Sequence, residues 1–153
     1  MLLKQLSTGW HSPLTTSAGR LFAAVAAATG ICRQRTYEGQ PALELEMAAD
    51  TGEQGYYPSK VHQERQTLVL ETLAIFRGVV SDRLAGQDQA KIAGCFHQSL
   101  AQGLTKMCVM LRERTGLNLI ALSGGVFQNA LLLQGLKTRL EQQGFEVLTH
   151  RLV

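Results

Sequence analysis

Cysteine is scarce in this chain. The three residues, Cys32, Cys95 and Cys108, show no CxxC pair and no other zinc-type spacing, which excludes a zinc finger. Cys95 and Cys108 fall on the apolar stripe of a predicted helix and read as buried free thiols, a state that suits a reducing cytoplasm. Aromatic residues make up 6% of the chain and do not interleave with the basic ones. Lys and Arg (Arg33, Arg35, Arg112, Arg114, Lys137, Arg139) form no block, and the net charge is only +3. They read as solvated faces and helix C-terminal charges, so nucleic-acid binding is disfavoured. No apolar run is long enough to span a membrane, and the N-terminus through Trp10 and His11 has no signal-peptide core. His11, His62 and His150 are isolated, and no histidine pair at i, i+4 offers a metal site. There is no internal repeat and no low-complexity linker. At 153 residues the chain is one domain or a piece of one.

The strongest positive feature lies near the C-terminus. Leu117 to Leu122 is a nearly unbroken apolar run, which fits a strand covered on both faces. Gly124 and Gly125 follow at once, where missing Cβ atoms let the main chain turn sharply and let a ligand lie against it. Asn129 then stands near the start of a helix, where free N–H groups and the dipole favour an anionic or polar guest. Its amide can donate and accept, which suits ribose hydroxyls or a phosphate edge. Leu132, Leu133, Leu136 and Leu140 continue the helix, Gly144 is a natural C′ residue, and Phe145 to Leu148 forms a second strand. The unit is β-loop-α-β, with a right-handed crossover expected. It has neither the third glycine of a Rossmann turn nor the lysine of a P-loop. On spacing alone, a tight turn with close helix packing is favoured over nucleotide binding.

The rest of the chain reads as mostly helical. Thr16 or Ser17 caps a helix over Ala18–Thr29, closed by Gly30. Cys32 to Gly39 is a loop in which Gly39 either approaches a ligand or serves as a plain turn residue. Pro41 opens a short helix to about Asp50, ended by Gly52. Tyr56 and Tyr57 form an edge strand or a solvent flap, and Gln66 to Leu70 begins a strand or the next helix. Leu73, Phe76, Val80 and Leu84 mark an amphipathic helix. Asp88 caps a long one whose stripe runs through Ile92, Cys95, Phe96, Leu100, Leu104, Met107, Cys108 and Leu111 to a stop at Gly116. His97, beside that stripe, is either a buried histidine satisfied by a backbone carbonyl or a functional imidazole, the former being favoured. Glu44 and Glu46 read as solvent-facing, and Glu38 is a weak candidate for a base. Two parallel strands are fewer than usually sustain a sheet. An exposed apolar surface, a partner chain covering the open edges (a homodimer or a missing half) or marginal stability is therefore expected.

Ser123-Gly124-Gly125-Val126-Phe127-Gln128-Asn129 resembles the adenosine-binding motif of the ASKHA superfamily, which includes sugar kinases and actin. In its full form it is similar to the C-terminal domain of the HypF hydrogenase-maturation carbamoyltransferases. Three further segments fit that family in order: Thr16 to Phe22 with Ala24 to Ala27, Thr36 to Gln40 with Glu44 to Glu46, and Phe96 to Leu100. The resemblance thus covers nearly the whole chain. It extends also to TsaD proteins, which use a threonylcarbamoyl-adenylate on tRNA.

The resemblance implies a helix-rich α/β fold, the second half of an ASKHA (actin-like ATPase, ribonuclease H-like) domain. It implies ATP or carbamoyl-adenylate as ligand, with Gly39, Gly124, Gly125 and Asn129 as nucleotide-binding residues. A HypE-like acceptor protein, whose C-terminal cysteine receives the carbamoyl group, is the implied partner. Residues 1–153 would be a partial TsaD-like domain, because the family's metal-binding histidine pair precedes this sequence and its late Asp-Gly-Gly segment follows it. No catalytic residue and no metal ligand is assigned here, and the chain is expected to be inactive alone. One position departs from the pattern. Where the family carries the Asp that by analogy holds the ribose hydroxyls, this sequence has Ala23. A charged hydrogen bond of that kind is worth about 1.5–3 kcal/mol. A non-catalytic fragment or interaction module that keeps the fold is the alternative. A divergent ASKHA kinase half is disfavoured by the lack of a phosphate loop.

Overall fold

A computed structural model of the chain describes Lys4, residues 7–9 and residues 15–149. His11, His150 and the segment around Trp10 lie outside the described residues. The elements run α1 (Ala18–Thr29), α2 (Gln40–Ala48), β1 (Val61–Glu64), β2 (Thr67–Leu70), α3 (Thr72–Leu84), α4 (Gln89–Thr115), β3 (Leu119–Leu122), a 3-10 turn (Gly125–Gln128), α5 (Ala130–Gln142) and β4 (Glu146–Thr149). The chain is helix-rich α/β. β1 and β2 form an antiparallel hairpin, while β3 and β4 pair in parallel, Leu119 opposite Glu146 and Leu122 opposite Thr149.

The helix limits follow local chemistry. The Ser17 hydroxyl accepts from Arg20 N to start α1, and left-handed Gly30 (φ 83°) ends it. The C-terminal end of α1 is tied down further, because Thr29 O accepts from Arg83 Nε (3.1 Å) and Gln89 Nε2 (2.8 Å). Asp88 accepts from Ala90 N at the start of α4, and left-handed Gly116 closes that helix. The α2 helix starts directly after left-handed Gly39 with Pro41 in its first turn, and it stops at Ala49, short of the expected Gly52.

α4 is the central member. Its Ile92, Phe96 and Leu100 meet Phe22 and Val25 of α1, Ile75 and Val79 of α3, and Leu132, Leu136 and Leu140 of α5 in one buried cluster. Phe22 and Phe96 pack edge to face at 5.0 Å between centroids. The expected α4 stripe is only partly buried: Leu104, Met107 and Cys108 are half-buried and Leu111 is exposed. On α3 the buried residues are Ile75 and Val79, whereas Leu73 and Leu84 face solvent. Tyr57 explains that choice of face. It is neither in a strand nor on a flap but in the core, with its hydroxyl donating to Asp82 Oδ2 (2.9 Å) and its N–H to Ser99 Oγ (2.7 Å). Its ring lies so close to Gly78 that any Cβ there would overlap it.

Gln66 leads into strand β2 rather than into a helix. β3 is covered on one face only. Ile120 and Leu122 point inward, while Leu119 (54% exposed), Ala121 and Leu148 (50%) face outward. The apolar run from Leu117 therefore does not signal two-sided burial here, because none of the described residues packs on its second face. Arg112 is no solvated charge either. It lies 4.2 Å over the Phe145 ring and donates to Gln143 O (2.7 Å), tying α4 to the entry of β4.

Candidate functional site

Strand β3 delivers the chain to a turn with unusual requirements. Gly124 (φ 102°, ψ 166°) occupies a backbone region essentially closed to other residues. The 3-10 turn follows, with Phe127 N–H donating to Gly124 O (3.0 Å). Asn129 then caps α5, its Oδ1 accepting from Leu132 N at 2.9 Å. A Cβ placed on Gly124 or Gly125 would meet nothing within 4 Å, so the paired glycines stand in open space and not beneath packed side chains.

Opposite this turn stands α2. Between them lies a cavity of about 430 Å³, within the size range of small-molecule sites. Gly125, Val126 and Asn129 form one wall; Gly39, Ala42 and Glu46 form the other; Gly19 and Phe22 of α1 also line the cavity. Tyr37 and Leu43, both exposed, border it as well. Gly39, Gly125 and Asn129, segments far apart in sequence, are thus brought together around one space. Gly124 is outside the lining and shapes the turn. Ala23, half-buried one helical turn beyond Gly19, is also outside it. A larger groove of about 980 Å³ runs between β1, α4 and the end of α5, and none of the sequence-predicted residues lines it.

Two polar groups of the cavity, Glu46 and Asn129, are committed to the start of α5. Glu46 does not face solvent. Its Oε1 accepts from Ala130 N (2.7 Å) and Leu131 N (3.2 Å). With Leu132 N held by the Asn129 side chain and Leu133 N by Asn129 O, the first four N–H groups of α5 are all engaged. The helix start expected to receive an anionic guest already holds the carboxylate of Glu46, which satisfies both dipole and donors. Glu44 is also half-buried and accepts from Gln40 Nε2 (2.7 Å), whereas Glu38 is exposed and pairs with Arg35 at 3.2 Å.

His97 completes the set. It is buried, packed against Phe22 and Phe96, and its Nδ1 lies 2.7 Å from Ala93 O. A carbonyl can only accept, so Nδ1 carries the proton. Its Nε2 lies 3.1 Å from Asn129 Nδ2, which must be the donor because Asn129 Oδ1 is already accepting. The imidazole is therefore neutral, and burial lowers its pKa below the usual histidine value against the opposing pull of Ala93 O and Glu46. Burial raises all three thiols above the ordinary cysteine range, so they stay protonated. Among the described residues no cluster of His, Cys, Asp or Glu is arranged to hold a metal ion. None of the described helices is long and apolar enough to cross a membrane.

Two members of the site escape sequence reasoning, the capping role of Glu46 and the contact from His97 to Asn129. Their partners lie 84 and 32 residues away, and no local pattern marks them.

The family described as the carbamoyltransferase Kae1-like domain, second subdomain, matches residues 1–153. The chain belongs to the HypF carbamoyltransferase family. It is 38% identical to the carbamoyltransferase HypF of Rhodobacter capsulatus over 94% of this chain and 18% of that protein. It is 29% identical to the probable carbamoyltransferase HypF of Methanocaldococcus jannaschii over 99% of this chain and 20% of that one. A full-length HypF solved in a phosphate- and nucleotide-bound form superposes with a TM-score of 0.90 at 33% identity, covering 97% of this chain and 20% of that structure. The chain thus spans about a fifth of the length of its HypF relatives, and its fold is that of the Kae1-like subdomain at their C-terminal part.

Proposed function

We propose that this chain forms the nucleoside-holding wall of a HypF-type carbamoyltransferase site, for ATP or a carbamoyl-adenylate. The observation that carries the reading is the convergence of Gly39, Gly125 and Asn129 on one cavity of about 430 Å³. The nucleotide-bound state of a HypF relative supports it. Because Glu46 fills the start of α5, the guest presents an uncharged portion there, a sugar or base edge and not a phosphate. The phosphates and the carbamoyl carbon then point away from this helix start, toward groups that the wall does not supply. We accordingly assign the chain no catalytic residue and expect no turnover from it alone. A HypE-like protein is the proposed carbamoyl acceptor, and the protonated free thiols suit a reducing cytoplasm.

A second reading, a non-catalytic interaction module that retains the fold, is favoured by Ala23 in place of the family's acid and by the exposed apolar face of Leu119 and Leu148. Calorimetric titration separates the two. ATP binding in the unaltered chain that disappears in Asn129→Ala supports the nucleotide wall. No ATP uptake by the folded chain supports the module.

A further inference from the structure

We infer that His97 is a positioning residue: it fixes the carboxamide of Asn129 in one orientation, so that Asn129 meets the cavity as a hydrogen-bond donor. The inference rests on the nucleoside reading of the cavity for its functional consequence, but its geometry stands independently. Asn129 is 6% exposed and His97 4%, so neither side chain is free to choose partners in water. The Leu132 N–H can only donate, which makes the atom 2.9 Å away the amide oxygen of Asn129. The amide nitrogen is thereby turned toward His97 Nε2, and Ala93 O holds the imidazole in the tautomer that leaves Nε2 unprotonated. An amide nitrogen carries two hydrogens. One is used on His97, and the second remains for a guest in the cavity that Asn129 lines.

Without His97 nothing would choose between the amide orientations except the cap itself. A flipped amide would lose the Leu132 bond and turn an acceptor toward His97. The chain of contacts runs from Ala93 O through the ring to Asn129, then divides between helix start and cavity. The charged group that acts on the ring from a neighbouring element is Glu46 of α2. The preference that follows is for a ligand offering an acceptor at this point, such as a ribose oxygen or a ring nitrogen of a base.

The test uses the full chain with ADP as probe and two substitutions. His97→Gln keeps an acceptor oxygen within reach of Asn129, while His97→Leu removes it. The expected result is ADP affinity within about threefold of wild type for His97→Gln and a loss of about tenfold or more for His97→Leu, since a buried donor is then left unpaired. Far-ultraviolet circular dichroism at the titration temperature verifies that both variants are folded. Equal affinity in His97→Leu and wild type would overturn the inference. If His97→Leu does not fold, nitrogen NMR of the wild-type imidazole decides: a protonated Nδ1 with a bare Nε2 at neutral pH is expected, and the opposite tautomer overturns it. If wild type takes up no ADP, the nucleoside reading fails, and the tautomer spectrum still rules on His97.

Discussion

Replacing Asn129 by Asp changes one group in the most tightly wired part of the molecule. The helix cap survives, since Asp and Asn cap about equally well and one carboxylate oxygen can still accept from Leu132 N. The other oxygen now faces His97 Nε2 across the 3.1 Å that an N–H bridged before. Two acceptors meet, and a buried group left unpaired costs about 1–3 kcal/mol. Protonating His97 restores a bond and adds an ion pair. In wild type the folded pKa of His97 lies below its ordinary 6.5, so the unfolded chain takes up a proton first. Wild-type stability is therefore flat above that value and falls as pH drops through it toward the folded pKa. In Asn129→Asp the new carboxylate raises the folded pKa above the ordinary value. Its stabilising effect is then fully present below pH 6.5 and lost as pH rises through the raised pKa. Urea denaturation across a pH series, read by circular dichroism, should show wild type losing stability as pH falls below 6.5 and Asn129→Asp losing it as pH rises above 6.5, slopes of opposite sign on either side of that value. Same-signed slopes would refute the assigned tautomer and the Asn129–His97 contact together.

Other substitutions probe separate joints of the structure. Gly78→Ala pushes a methyl group into the Tyr57 ring and should destabilise the fold by about 1–3 kcal/mol in urea melts. Glu46→Gln keeps an acceptor for Ala130 and Leu131 but removes the charge. The expected loss is about 0.3–1 kcal/mol, shrinking as salt is added. Ala23→Asp restores the acid of the family pattern and should tighten ATP binding measured by calorimetry, by about tenfold for a charged hydrogen bond at the lower end of its range. Unchanged affinity in that variant would place position 23 outside the ribose contact.

What the sequence discloses is what short-range chemistry controls. The limits of α1 and α4 are legible in Ser17, Gly30, Asp88 and Gly116, because caps act within a turn of the residue they satisfy. The β3-turn-α5-β4 unit is legible for the same reason, and so is the grouping of Gly39, Gly125 and Asn129 once a family pattern supplies the long-range link. Hidden were the features decided by residues far along the chain. Tyr57 reaches Asp82 across 25 positions and so selects the buried face of α3 against its apparent stripe. Strand β1 is polar and mostly exposed, and only its pairing with β2 makes it a strand. Glu46 reads as a surface acid until α5 arrives from 84 residues away with two amide hydrogens. Leu119 and Leu148 mislead in the other direction, since apolar character speaks of burial whether or not a covering element is at hand.

The most direct test of the central claim is backbone amide NMR of the chain titrated with ADP. The account predicts shift changes concentrated at Gly39, Gly125 and Asn129, with smaller ones at Gly19 and Phe22. Changes clustered along the groove between β1 and α4, or none at saturating nucleotide, would contradict it.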